Sequence, residues 1–322
     1  MTQQEPIVVV STGRCGSTLV SELLCRHPDV LSVFEFWPNR VNLQELFSDK
    51  SMSGEAFWNL LSVPMAPDIY KIALRGDISQ VPKRSLHETN YMRRISLPKL
   101  VEDYDALFEE IRIFMVAQPE QNTGKHIIVL FDYLRKRLSK KVWVERTGAN
   151  IDFLPMWRRM WPNMRIVHVY RDGRNCAISM SKHHAFRLHV KRLEKYEDAS
   201  WLKIRPLDPK TLDIDEFCSE QMPLDRFGSL WNRMITEGMD EIEQIPEQQK
   251  LNLRFEDMLA EPEKQMQRLL KFINQDLDAE EWVKHYAPTI SAPKTDWRNL
   301  DLSVQKSLTE SCATGLSRLG YH

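Results

Sequence analysis

Residues Ile7 to Leu24, IVVVSTGRCGSTLVSELL, narrow what this chain can fold into more than any other stretch. Four β-favouring apolar residues, Ile7 to Val10, stop at a small, polar, glycine-bearing turn, Ser11 to Thr18. Leu19, Val20, Leu23 and Leu24 then follow at helical spacing, so the pattern predicts strand, loop and helix. Such a junction turns several backbone N–H groups and the positive end of a helix dipole toward one spot, which makes an anion site. Arg14 adds a cation in the middle of the loop. A phosphate- or sulfate-binding loop is the first expectation. These residues alone leave an ordinary strand–helix bend open.

Further strand and helix patterns extend this beginning. Val30 to Val33 reads as a short strand that delivers Phe34-Glu35-Phe36-Trp37. Val142 to Val144 and Arg165 to Tyr170 are strand candidates separated by a helix over Ile151 to Met160, and a helix over Asn175 to Lys182 follows. Leu251 to Phe255 is another strand, with a helix after it carrying Leu259, Met266, Leu269, Leu270 and Ile273. Alternation of this kind needs long crossovers and favours a parallel sheet, so the class is α/β. Residues 40–139 are irregular, proline-punctuated and poor in strand signals, and read as a mainly helical insertion in a single domain spanning residues 1–322. Residues 183–222 are polar and carry little pattern, and the last forty residues read as a loop-rich closing segment.

Composition limits the partners. A net charge of −1 over 322 residues gives no global field for nucleic acid, so any anion site is local. The five cysteines, Cys15, Cys25, Cys176, Cys218 and Cys312, lack the paired spacing of zinc sites or a disulfide framework and suit a reducing compartment. The first residues, MTQQEP, carry no basic and apolar leader, and no run approaches the roughly eighteen apolar residues of a membrane span. A cytoplasmic protein is expected.

A second constellation raises the weight of the anion loop. Tyr170-Arg171-Asp172-Gly173-Arg174 sets Arg171 at the carboxyl end of a strand, with Ser179 on the helix that follows. Ligands of open parallel sheets gather at that edge, so Arg171 and Arg14 fall on one side and imply a ligand with two separated anionic groups. Walker A loops read G-x-x-x-x-G-K-[ST]. Gly13-Arg14-Cys15-Gly16-Ser17-Thr18 lacks the lysine and is shorter, which counts against a P-loop nucleotide kinase, the alternative enzyme.

These residues resemble the sulfotransferases that use 3′-phosphoadenosine 5′-phosphosulfate (PAPS). Ser11 to Leu19 is similar to their 5′-phosphosulfate loop in its arginine-bearing form, known from bacterial, carbohydrate and tyrosylprotein members. Arg171 and Ser179 match the 3′-phosphate motif, and Arg254-Phe255-Glu256-Asp257-Met258-Leu259-Ala260-Glu261-Pro262 matches the late R-[YF]-E-D-L-x-x-x-P segment. The resemblance does not reach residues 40–139 or 183–222. It implies a three-layer fold like that of the P-loop nucleoside triphosphate hydrolases, with the helical insertion shaping the acceptor site. It further implies PAPS as sulfo donor, adenosine 3′,5′-bisphosphate as product, and a small-molecule or conjugated hydroxyl acceptor, less readily an amine. Arg14, Cys15, Gly16, Ser17 and Thr18 would cradle the phosphosulfate, and Arg171 and Ser179 the 3′-phosphate. The scheme calls for no metal, since charge growing on the leaving phosphate is met by preorganised donors.

Attack by a hydroxyl also needs a proton acceptor. Glu35 is the candidate, at the exit of the second strand among Phe34, Phe36 and Trp37, apolar neighbours that favour the protonated carboxyl. In the branch with His27-Pro28-Asp29-Val30 followed by a glutamate, the corresponding residue is the general base. Where the animal and plant enzymes carry K-T-H-x-P, this chain reads Glu145-Arg146-Thr147-Gly148, without a histidine. Arg146 is then either a second cation at the phosphosulfate or the partner of an acid. His183 and His184, rivals for the base, follow the 3′-phosphate helix and read as a solvated helix end. The family's GxxGxxK loop is missing. Asp296-Trp297-Arg298 stands in the position of a late R-W-R segment, which makes Arg298, with Lys294 nearby, a further 3′-phosphate ligand. A nucleotide-binding interaction protein without catalysis is the alternative from another class, and Glu35 beside Arg14 argues against it.

Overall fold

The computed structural model describes residues 4–37, 43–74, 90, 92–196, 207–208 and 210–322. Parts of the two pattern-poor stretches, residues 40–42, 75–89, 91, 197–206 and 209, lie outside the described residues. The chain separates into two compact units, one of residues 1–33, 132–180 and 223–322, the other of residues 34–131 and 181–222.

The first unit is built on a five-stranded sheet. Its strands are β1 (Ile7–Val10), β2 (Val30–Phe34), β3 (Val142–Arg146), β4 (Arg165–Tyr170) and β5 (Lys250–Arg254), in the spatial order β2-β3-β1-β4-β5. β1 runs parallel to β3 (Val8 opposite Glu145) and to β4 (Ile7 opposite Arg165 through Val10 opposite His168), and β4 runs parallel to β5. Helices flank the sheet, among them α1 (Ser17–Cys25), α2 (Leu154–Met160), α3 (Gly173–Ser181), α4 (Leu224–Glu243) and α5 (Phe255–Ala260). The central strand β1 is buried on both faces, as its unbroken run of β-branched residues requires. Asn150, just past β3, takes Ser11 N–H on Oδ1 (2.9 Å) and donates from Nδ2 to Val9 O (2.8 Å), pinning the end of β1 where the loop begins.

The closing segment differs from expectation. Residues Glu280–Tyr286, Leu302–Ser311 and Ala313–Arg318 are helical. Leu308, Cys312 and Leu316, spaced four apart, form a narrow buried stripe, and the last two helices pack on α4. One apolar residue per turn gives a weak amphipathic signal, which is why the segment reads as loop.

The second unit is mainly helical. It holds Gly54–Leu61, Pro67–Leu74, Tyr104–Val116, His184–Lys195 and Ile214–Ser219, most of the helix Thr123–Arg137, and a short antiparallel ribbon pairing Ser51–Met52 with Gln121–Asn122. Its two chain stretches are joined by Asp68 and Arg192, at 0% and 1% exposure and 2.6 Å apart, with Leu207 N–H on the same carboxylate (2.8 Å). Removing one partner of such a buried pair costs about 3–5 kcal/mol, because the other charge is left without compensation.

Candidate anion-binding site

The loop between β1 and α1 adopts backbone that few sequences tolerate. Gly13, Arg14 and Gly16 all take positive φ (78°, 60° and 99°). Arg14 is not glycine, and left-handed backbone at such a residue costs on the order of 1 kcal/mol or more and concentrates at functional sites. Turning successive peptide units this way gathers their N–H groups into a concavity for an anion. Helix α1 begins directly after Gly16 with no acidic residue in its first turn, leaving its positive end to that concavity. Cys15 is fully buried, with its thiol on Val169 O (3.1 Å), and burial pushes its pKa up, so it fills space as a thiol and offers no thiolate nucleophile.

Cations converge on this loop. Arg14 Nε donates to Ser179 Oγ (3.1 Å), joining the loop to α3. Arg146, at the end of β3, donates from Nη2 to both Ser17 Oγ (2.9 Å) and Thr18 Oγ1 (2.7 Å). Arg14's pKa is lowered, first by burial, then by the Arg146 charge, with a smaller push from Arg171. Among the described residues, no carboxylate pairs with Arg14 or Arg171. Arg14 and Arg171, brought close without a described carboxylate paired to either, mark a place for an anion.

The segment after β5 shapes the same place, and sequence reasoning matched its motif without seeing its job. The Phe255 ring lies under the Arg171 guanidinium (4.8 Å to the centroid). The same ring lies against Gly16, where a Cβ would come within 2.8 Å of Cε2 and closer still to Cδ2. Glu256 accepts from Asp172 N–H (3.1 Å) on one oxygen and from the Tyr321 hydroxyl (2.7 Å) on the other, holding the turn that carries Arg171. Arg174 is consumed by Asp172 in a buried pair (2.8 Å) and lies over the Trp297 ring (3.8 Å).

Arg14, Cys15, Gly16, Ser17, Thr18, Arg171 and Ser179 thus come together in the first unit, and Arg146 joins them. Arg298 sits on the short turn Trp297–Asn299, which Asn175 Oδ1 ties to the start of α3 by accepting Trp297 N–H (3.0 Å). Its side chain is 64% exposed and pairs with Asp296 (3.2 Å). Glu35 directly follows β2 and belongs to the second unit. It takes left-handed backbone (φ 46°), and its carbonyl accepts from Ser96 Oγ (2.8 Å). In that unit His183 caps and His184 opens the helix His184–Lys195, both half-buried, against Phe186 and Phe217 respectively.

A parallel α/β sheet with an arginine-bearing loop at the end of its central strand defines a protein of the P-loop-like type. Sequence comparison narrows the class. A model described as the sulfotransferase family matches residues 6–205, and one described as the sulfotransferase domain matches residues 147–310. The chain belongs to the sulfotransferase family and is a sulfotransferase, an enzyme that takes a sulfo group from a sulfo donor. Its fold is similar to that of the sulfotransferase domain from the curacin biosynthetic pathway, with a TM-score of 0.55 at 14% identity, covering 100% of this chain and 99% of that one. The sulfotransferase STF9 from Mycobacterium avium gives 0.50 at 13% identity, covering 100% and 78%. No curated protein matches the sequence. Among the described residues no helix is long and apolar enough to cross a membrane.

Proposed function

We propose that the donor is PAPS and that its sulfo group passes to an acceptor hydroxyl, less readily an amine, by in-line displacement. The observation that carries this reading is the Arg14–Ser179 hydrogen bond, which ties the loop cation to the helix beginning beside Arg171. Two cation-bearing anion cradles in one unit suit a nucleotide phosphorylated at both the 5′ and 3′ positions. The loop N–H groups of Cys15, Gly16, Ser17 and Thr18 hold the 5′ group, and Arg14 supplies aligned donors where charge grows on the leaving phosphate. Arg146 aligns the Ser17 and Thr18 hydroxyls for the same group. Arg171 and Ser179 hold the 3′-phosphate, with Arg298 an outer ligand. Glu35 takes the acceptor's proton.

Residues 40–139, with parts of 183–222, shape the pocket for a small-molecule or conjugated acceptor. The five cysteines form no disulfide, in keeping with a cytoplasmic location. The test is calorimetry with adenosine 3′,5′-bisphosphate, followed by PAPS-dependent turnover on an acceptor library. Tight bisphosphate binding and sulfated product are expected. ATP-dependent phosphorylation without either would overturn the reading.

A further inference from the structure

Phe255 belongs to neither anion cradle, yet its ring touches a residue of each. One part of its ring meets Gly16, so closely that no other residue type fits there: a Cβ at Gly16 would collide with Cδ2 and Cε2, and the positive φ is unfavourable to any side chain. The ring also carries the Arg171 guanidinium, 4.8 Å from its centroid. Arg171 is 8% exposed and, among the described residues, no carboxylate pairs with it. A guanidinium is a long, flexible group, and what fixes its direction decides how well it meets a phosphate. Phe255 itself is set by the first turn of α5. The next residue, Glu256, is held by Asp172 N–H and the Tyr321 hydroxyl, which anchors the turn of backbone that carries the ring.

We infer that Phe255 is a positioning residue for nucleotide recognition. Wedged between Gly16 and Arg171, its ring holds the guanidinium at a set place relative to the loop, and so sets the spacing between the two anionic groups that the site accepts. This rests on Arg171 binding the 3′-phosphate. The consequence is selective. Loss of the ring leaves the loop's N–H groups and Arg14 in place and loosens only Arg171, so the advantage of a 3′-phosphorylated nucleotide shrinks. Affinity for a nucleotide lacking that phosphate stays nearly as it was.

Calorimetry with adenosine 3′,5′-bisphosphate and with adenosine 5′-monophosphate tests this on the full chain. Phe255→Leu is expected to reduce the bisphosphate-to-monophosphate affinity ratio roughly tenfold, the scale of a desolvated cation–π contact, with monophosphate affinity held within about threefold. Phe255→Tyr, which keeps the π face, is expected to keep the ratio. In an Arg171→Ala background Phe255→Leu is expected to change the ratio no further, because the two residues act as one unit. Phe255→Met fills the space without a ring and serves in the same comparison where Leu does not fold. Equal losses for both nucleotides, or additive effects with Arg171→Ala, would mean that Phe255 only supports the fold, and the inference fails. A wild-type protein that binds both nucleotides equally and transfers no sulfo group overturns the PAPS reading instead, a separate outcome.

Discussion

Arg14→Gln should make the ligand-free protein more stable while removing most of its activity. In the absence of donor, the Arg14 guanidinium is largely buried near Arg146 and Arg171 without a pairing carboxylate among the described residues. As a generic scale, like charges about 8 Å apart repel by roughly 2 kcal/mol at an effective dielectric near 20. Partial exposure of the side chain screens this, so a net gain of about 1 kcal/mol is the expected size. At about 2.1 cal/mol/K of unfolding entropy per residue, that gain raises the Tm of a chain of this length by roughly 1–2 °C. Glutamine can still bond Ser179 Oγ, so the substitution removes charge and little else. Adenosine 3′,5′-bisphosphate at a hundred times its Kd adds about 2.7 kcal/mol to the wild type. The variant should gain much less at the same concentration. Differential scanning fluorimetry with and without the bisphosphate, alongside turnover, measures both effects. A variant less stable than wild type without ligand, or stabilised by the bisphosphate as strongly as wild type, would refute the view that this cation is held against repulsion for an incoming anion.

Glu35→Gln should lower kcat by about a hundred- to ten-thousand-fold and leave bisphosphate affinity unchanged; near-normal turnover on the true acceptor would remove Glu35 from the base role. Gly16→Ala should cost on the order of 2–4 kcal/mol in urea unfolding, from positive-φ strain plus collision with Phe255, and a neutral result would show that the ring yields. His168, buried in β4 with its Nδ1 facing Asn252 Oδ1, has its pKa lowered by burial to about 4 from 6.5. The fold therefore holds it neutral where the unfolded chain takes up a proton. Its contribution is fully present above pH 6.5 and declines toward pH 4, by up to about 3 kcal/mol. Urea titrations at several pH values should show a shallower acid decline for His168→Gln, and parallel curves would rule the histidine out as the cause.

What the sequence showed was local. The run Ile7 to Val10 followed by Ser11 to Thr18 declares strand and loop within a dozen residues, and Arg171 with Ser179 declares itself within one strand–helix step. β5 was nearly as plain in the run Leu251 to Phe255, whose last residue opens α5 instead of closing the strand. What stayed hidden depends on contacts between distant parts of the chain. Nothing near Phe255 says that its ring will meet Gly16, and nothing near Asn150 says that its amide will bind both Val9 and Ser11. The ribbon of Ser51–Met52 with Gln121–Asn122 is two residues long on each side, too short for any periodicity. His126 shows the same gap: it stacks on Phe57 and its Nε2 meets Met52 O (2.9 Å), a structural role that its sequence neighbours do not announce.

The division of the second unit into residues 34–131 and 181–222 sets a timetable for the growing chain. Asp68 leaves the ribosome 124 positions before the arginine that neutralises it. At roughly 5–20 residues per second, synthesis keeps the two apart for about 6–25 s. During that interval the helices around Asp68 cannot close over it, since burying a lone carboxylate is prohibitive. β2 has likewise emerged long before β3, the strand it pairs with. The nascent polypeptide therefore holds apolar helices and an unpaired strand open for many seconds, so overexpression should tax chaperones most while residues 74–192 are being made.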